Sequence, residues 1–251
     1  MALKEVYRVE SAKWDAIAAQ AAPKLTALPP TADFYSQVCT SPLLCGVADF
    51  LGDVRGKQVL EYGCGLGAIS TLLARSGAEV ISFDLSRTSV AVTRRRADLN
   101  AMDIGLAVAA GESLPYADES FDIVFGKAIL HHLDVSAGAH DLYRVLRPGG
   151  KAVFAEPMGM NPFLNLGRAR IWYPNKHPRG ADRPLTYEEI YAWGRQFSEF
   201  HFREVQLLSM AERAFGFGKK LTFLRRLDDL LLDRVPALRR YCRYVVMFMV
   251  K

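Results

Sequence analysis

Between Lys57 and Pro157, short apolar runs alternate with longer stretches of helical period, the pattern of a parallel sheet flanked by helices. Gln58 to Tyr62 reads as the first strand, Glu79 to Asp84 as the second and Ile104 to Ala109 as a weaker third. Phe121 to Gly126 and Lys151 to Glu156 supply a fourth and a fifth. Helices are expected over Ala68 to Ser76, Ser86 to Asn100 and Ala139 to Leu146, with Ser86 as an N-cap. Arg147-Pro148-Gly149-Gly150 should end the last helix and turn the chain into the fifth strand.

The flanks read differently. A helical segment containing Trp14 precedes the core and leads to a loop at Pro29-Pro30. After the core, Met158 to Asp182 is rich in Asn, Pro, Gly and Arg and reads as a loop-dominated insertion, followed by a helix over Pro184 to Phe200. Two late strands, Glu204 to Leu208 and Tyr244 to Val250, are separated by an amphipathic stretch from Phe215 to Arg240, and can pair antiparallel at the sheet edge. The expected architecture is a single α/β domain built on a doubly wound, seven-stranded Rossmann-like sheet. Its parts are an N-terminal helical cap (1–56), a cofactor-binding core (57–157), an insertion roofing the acceptor pocket (158–203), and the last two strands with their intervening helix (204–251).

The strongest chemical signal is Val59-Leu60-Glu61-Tyr62-Gly63-Cys64-Gly65-Leu66-Gly67, an apolar strand that ends in an acid and runs into a glycine turn opening a helix. Glycine lets the backbone turn tightly against a ligand, and the helix start offers unpaired N–H groups. Gly63-x-Gly65-x-x-Ala68 alone also satisfies a dinucleotide fingerprint, so a nicotinamide-dependent oxidoreductase is one reading. Asp84, about 20 residues on at the end of the second strand, can accept both hydroxyls of a ribose in either case. Glu61 separates the readings: a carboxylate beside the loop repels a pyrophosphate and favours an ammonium group.

Three further segments follow in order. Gly111-Glu112-Ser113-Leu114-Pro115-Tyr116-Ala117-Asp118-Glu119-Ser120-Phe121-Asp122, Ile129-Leu130-His131-His132-Leu133 and Leu146-Arg147-Pro148-Gly149-Gly150-Lys151 resemble, with the glycine loop, the landmarks of class I S-adenosylmethionine-dependent methyltransferases. The similarity spans roughly residues 57 to 157 and is greatest to small-molecule enzymes related to quinone and sterol methylation. It implies S-adenosylmethionine as cofactor, S-adenosylhomocysteine as product, and a small, largely apolar, lipid-like or natural-product acceptor. It also implies that Gly63 and Gly65 lie against the methionine part with Glu61 holding its ammonium through water, that Asp84 binds ribose, that Leu85 packs on adenine, and that the Lys127 carbonyl meets the ammonium. The family often has an acid four residues before the Leu-Pro pair; this chain has Ala110, so the adenine contact falls to backbone at Ala110 and Gly111 or to Glu112. His131 and His132 are the candidate general bases, His132 foremost, since histidine titrates near neutrality; the alternative is that His132 hydrogen-bonds backbone at the start of the next loop. Tyr7 and Trp14 either cover the cofactor or anchor the first helix.

Composition changes this picture little. No apolar run approaches a membrane span and no signal-peptide pattern opens the chain, so a cytoplasmic protein is expected. Cys39, Cys45, Cys64 and Cys242 show no CxxC spacing, so neither a metal site nor a disulfide framework is expected; Cys64 reads as packing within the glycine turn. From His201 onward, eleven basic residues face five acidic ones, while the whole chain carries a formal charge of +5. No target-base motif accompanies that basic tail, so nucleic acid is not an expected partner. The two readings left are a solvated helix and peripheral contact with an anionic membrane. Phe163, Leu164, Ile171, Trp172, Tyr173, Phe215 and Phe217 point to a sizeable apolar acceptor, and Arg168, Arg170, Lys176, His177, Arg179 and Arg183 to an anionic group or a solvated loop. A non-catalytic cofactor-binding protein is the remaining alternative.

Overall fold

In the computed structural model, residues 3–44, 46–170, 183–211 and 222–251 are described. Seven strands form one sheet in the order β3-β2-β1-β4-β5-β7-β6. They are β1 (Gln58–Tyr62), β2 (Glu79–Asp84), β3 (Gly105–Val108), β4 (Phe121–Lys127), β5 (Leu146–Pro157), β6 (Glu199–Val205) and β7 (Tyr244–Val250). The first five are mutually parallel, and β7 enters antiparallel between β5 and β6. The strand order reverses between β1 and β4, and that switch point opens a crevice at the carboxyl ends of the strands.

Both faces of the sheet are covered, which explains the nearly continuous apolar runs of the central strands. Val59, Ile123, Phe125, Val153 and Phe248 pack on one face with Phe34 of α2 (Phe34–Thr40), Val47 of α3 (Val47–Leu51) and Leu73 of α4 (Ala68–Arg75). Their neighbours in sequence, Leu60, Val124, Phe154 and Met247, pack on the other face with Leu142 of α6 (Val135–Val145) and Trp193 of α8 (Tyr187–Gly194). This strict alternation fixes the register, because a one-residue slip would exchange the two cores. Ser86 caps α5 (Arg87–Leu99) by accepting the Ser89 N–H, and Thr186 with Glu189 forms a capping box on α8.

Several expected boundaries move. α6 begins four residues before Ala139, because Asp134 caps it by accepting the Ala137 N–H. The Arg147–Gly150 turn lies within β5, where Gly149 N–H bonds the Lys251 carbonyl and Gly150 O accepts the Lys251 N–H. Residues 162–170 of the expected loop form a helix, α7 (Pro162–Arg170). The expected helix over Pro184 to Phe200 stops at Gly194, and β6 starts at Glu199 instead of Glu204. The basic stretch contains α9 (Thr222–Arg234) and a 3-10 turn at Pro236–Tyr241. Cys45, Ile171, Trp172, Tyr173, Lys176, His177, Arg179, Phe215, Phe217, Lys219, Lys220 and Leu221 lie outside the described residues. Among the described residues no helix is long and apolar enough to cross a membrane, and no His, Cys, Asp and Glu cluster could hold a metal ion.

Candidate active site

The glycine turn builds the floor of the crevice. Gly63, Gly65 and Gly67 all adopt positive φ, which lets the chain leave β1, reverse and open α4 within five residues. A Cβ on Gly67 would stand 2.7 Å from Thr93 Cγ2, whereas one on Gly65 would meet open space. Gly65 therefore presents bare backbone to the cavity. Asp84 holds the turn from below: one oxygen accepts the Gly65 N–H at 2.9 Å and the other the Ser86 N–H at 2.9 Å. Burial raises the Asp84 pKa, opposed by these backbone bonds.

One cavity of about 830 Å³, partly open to solvent, lies above this floor. Gly63, Gly65, Asp84, Leu85, Ala110, Gly111, Glu112, Lys127 and His132 all line it, so nine of the ten residues singled out in the sequence meet in one place. Glu61 is the exception. It is not among the lining residues; its carboxylate accepts the Ser70 hydroxyl and faces the Ser82 hydroxyl at 3.5 Å. Burial pushes its pKa up to about 8, against the opposing hydrogen bonds from Ser70. Glu61 thus forms a buried link between β1, α4 and β2. Cys64 is buried, and desolvation drives its thiol pKa upward, so it packs as an inert thiol and does not act as a nucleophile.

α1 (Leu3–Ala21) roofs the cavity with Tyr7, Glu10 and Trp14, which recur at spacings of three and four along one helical face. Asp15 latches this helix to the cofactor-side strand end, accepting the Ser86 hydroxyl at 2.6 Å and the Thr88 N–H at 3.0 Å. Tyr7 keeps its phenolic proton firmly, because burial and the neighbouring Glu112 carboxylate both raise its pKa. Glu10 was missed in the sequence; its signal was a carboxylate on the same helical stripe as two aromatic residues. Phe83, Ala109, Ile129 and Leu133 complete the apolar lining.

The far wall is the segment after β4. Ala128 holds a positive φ of 57°, and the 3-10 turn Leu130–His132 follows it. Glu156, fully buried at the end of β5, accepts the Ile129 and Leu130 N–H groups and pairs with His131 Nδ1 at 2.8 Å. Three groups are thereby fixed around a single carboxylate, and His132 follows them in the turn. Its ring lies 3.9 Å from that of His131 and presents Nδ1 to Glu10 at 3.7 Å.

A methyltransferase-domain family profile matches residues 60–154. The ubiquinone biosynthesis O-methyltransferase of Pseudomonas fluorescens (strain SBW25) is 31% identical over 172 residues, which cover 62% of this chain and 70% of that protein. The chain belongs to the class I S-adenosylmethionine-dependent methyltransferases. A second ubiquinone biosynthesis O-methyltransferase, from Alkalilimnicola ehrlichii, is 33% identical over 118 residues, so the match spans about half of each chain (46% and 47%). The crystal structure of an S-adenosylmethionine-dependent methyltransferase from Mesorhizobium loti has the same fold, with a TM-score of 0.59 at 20% identity over 85% of this chain and all of that one.

The cavity fits the family's cofactor on its own evidence. It combines side-chain-free backbone at Gly63 and Gly65, a half-buried carboxylate at the end of β2 and apolar lining from Leu85, Ile129 and Leu133. These match in turn a methionine part, a ribose and an adenine ring. Glu112 also fits an amine at its Oε2, which is buried and has no hydrogen-bond partner, while its Oε1 accepts the Asp134 N–H at 3.1 Å.

Proposed function

We propose that the protein transfers a methyl group from S-adenosylmethionine to a hydroxyl oxygen of a small, largely apolar acceptor of quinone-precursor or natural-product type. One observation carries this reading: the glycine turn, Asp84 and His132 line a single cavity together with the aromatic and aliphatic side chains of Tyr7, Trp14, Phe83, Leu85, Ile129 and Leu133. Gly63 and Gly65 would lie along the methionine part, Asp84 would hold the ribose, and Leu85, Ala110, Gly111 and Glu112 would surround the adenine. Lys127 would meet the ammonium through its backbone carbonyl. When bound, the cofactor supplies a methyl group already activated by the sulfonium charge, so the chain's own task is to align the acceptor and exclude water. His132 takes the acceptor's proton. The O-methyltransferase relatives support the oxygen acceptor, and Tyr7, Trp14, Ile129 and Leu133 support its apolar body.

The test is methyl transfer from labelled S-adenosylmethionine to a panel of alkylated dihydroxybenzoates. Incorporation should require the free hydroxyl and rise with alkyl length. No incorporation into any hydroxyl compound, with transfer to amines instead, would overturn the oxygen reading.

A specific surface observation supports a second element of the proposal, collection of the acceptor from an anionic membrane. α9 and the residue just after it expose Phe223, Leu230 and Val235 on a segment whose Arg226 and Arg234, with Asp229 and Asp233, are also exposed.

A further inference from the structure

The cavity holds two buried groups of opposite character on different elements. Glu10, only 6% exposed, descends from α1, and His132 rises from the turn after β4. A carboxylate at such a place is costly unless something favours its charge. The facing group is His132 Nδ1, at 3.7 Å. The backbone leading into His132 is fixed through Glu156, and the His132 ring packs against those of His131 and Trp14.

We infer that Glu10 is a positioning residue that holds the Nδ1–H of His132, leaving the basic lone pair on Nε2, across the ring, for the acceptor. The inference rests on the methyl-transfer reading of this cavity. As the acceptor oxygen takes the methyl group, its O–H proton passes to Nε2. The imidazolium so formed is stabilised by the Glu10 carboxylate, and the sulfur leaves as the neutral thioether of S-adenosylhomocysteine. An imidazole base oriented by a carboxylate on its other nitrogen gains both the correct tautomer and a raised proton affinity. The distance of 3.7 Å exceeds a hydrogen bond, and such contacts tighten once a ligand fills the site. Because Asp15 ties α1 to Ser86 and Thr88 beside Asp84, the dyad is assembled by the same latch that closes the cofactor end. Among the described residues, the other titratable groups near the ring are Tyr7, Glu112, Lys127, Asp134 and the His131–Glu156 pair, and Glu10 is the one that pairs with Nδ1.

The test reads the ring directly. Uniformly 15N-labelled protein saturated with S-adenosylhomocysteine is titrated by NMR through its histidine ring correlations, with the His132 signals assigned by their loss in His132→Asn. The expected result is an Nδ1–H tautomer in the unsubstituted protein. Glu10→Gln should lower the His132 midpoint by about half a pH unit or more, because an opposite charge has been removed. Glu10→Asp, which keeps a carboxylate but withdraws it, should give an intermediate midpoint. An unchanged midpoint in both variants, or an Nε2–H tautomer in the unsubstituted protein, would overturn the assignment. The measurement needs no acceptor, so it stands apart from the labelled-methyl assay. If the acceptor class is wrong, that assay fails while the ring signals still respond to Glu10.

Discussion

At the scale of single residues, the cavity divides its polar groups between holding and reacting. Asp84 has both oxygens occupied by backbone N–H groups yet faces the cavity, so its remaining lone pairs are aimed before any ligand arrives. Asp84→Ala should weaken S-adenosylmethionine binding by about 1.5–3 kcal/mol, the scale of hydrogen bonds to a charged acceptor. Isothermal titration checks this, and an unchanged affinity in the folded variant would remove Asp84 from the binding set. His132→Ala should instead abolish most turnover with little change in cofactor affinity, the pattern of a group acting only in the reacting complex. Glu61 behaves differently from both. Its folded pKa of about 8 lies above the ordinary 4.5, so between those values the folded protein carries a proton that the unfolded chain lacks. Its contribution to stability is therefore complete below about pH 4.5 and is lost as pH rises towards 8, by at most about 1.4 kcal/mol per pH unit. Glu61→Gln cannot ionise and should flatten that slope. Melting temperatures at pH 5, 6.5 and 8 give the comparison, and parallel slopes for the two proteins would refute the buried-proton account.

At the scale of elements, what could be read locally came out of the sequence and what depended on distant partners did not. β1, β2 and β4 were legible because each is an apolar run closed by a turn or cap within a few residues. The early start of β5 was not, since the bonds that hold Gly149 and Gly150 as strand come from Lys251, about a hundred residues away. β6 was misplaced because Phe200 and Phe202 fit both a helical continuation from α8 and a period-two strand. Gly194 decides between them: a Cβ there would lie 2.3 Å from the Phe200 ring, and the chain turns back into the sheet at that point. Most of the site residues were legible for the same local reason, since they cluster at strand ends. Glu10 was not, because its meaning depends on a helix folding over a cavity built elsewhere. The C-terminal helix shows a further long-range device. Asp228 of α9 is buried and accepts the Leu207, Leu208 and Ser209 N–H groups together with the Ser209 hydroxyl. Asp228→Ala would strand those donors and should cost about 2–3 kcal/mol, measurable as a lowered urea midpoint. A loss below a few tenths of a kcal/mol would mean that α9 is held by its leucines instead.

At the scale of the whole molecule, the question is where the excess positive charge goes. Anchoring Asp228 inward sets the rotation of α9, and Leu232 then packs with Leu207 and Cys242. The apolar residues of the amphipathic stretch are thereby divided between core and surface. Leu231 and Leu232 turn in, while Leu230 and Val235 remain in water together with Phe223, which is 59% exposed. Exposed apolar side chains on the same segment as Arg226 and Arg234 are what the proposed interfacial contact would use, with apolar insertion and attraction to anionic lipid acting together. Each basic residue near such a surface contributes about 1 kcal/mol and loses it beyond a Debye length. The protein should therefore co-sediment with vesicles containing phosphatidylglycerol at low salt, release at high salt, and ignore vesicles of phosphatidylcholine alone. Replacing Arg226 and Arg234 by glutamine should reduce binding by about an order of magnitude, while Phe223→Ser should reduce it without altering its salt dependence. Equal recovery on neutral and anionic vesicles, or no binding at any salt concentration, would leave α9 as a structural cover for the sheet edge, and the acceptor would then reach the cavity from solution.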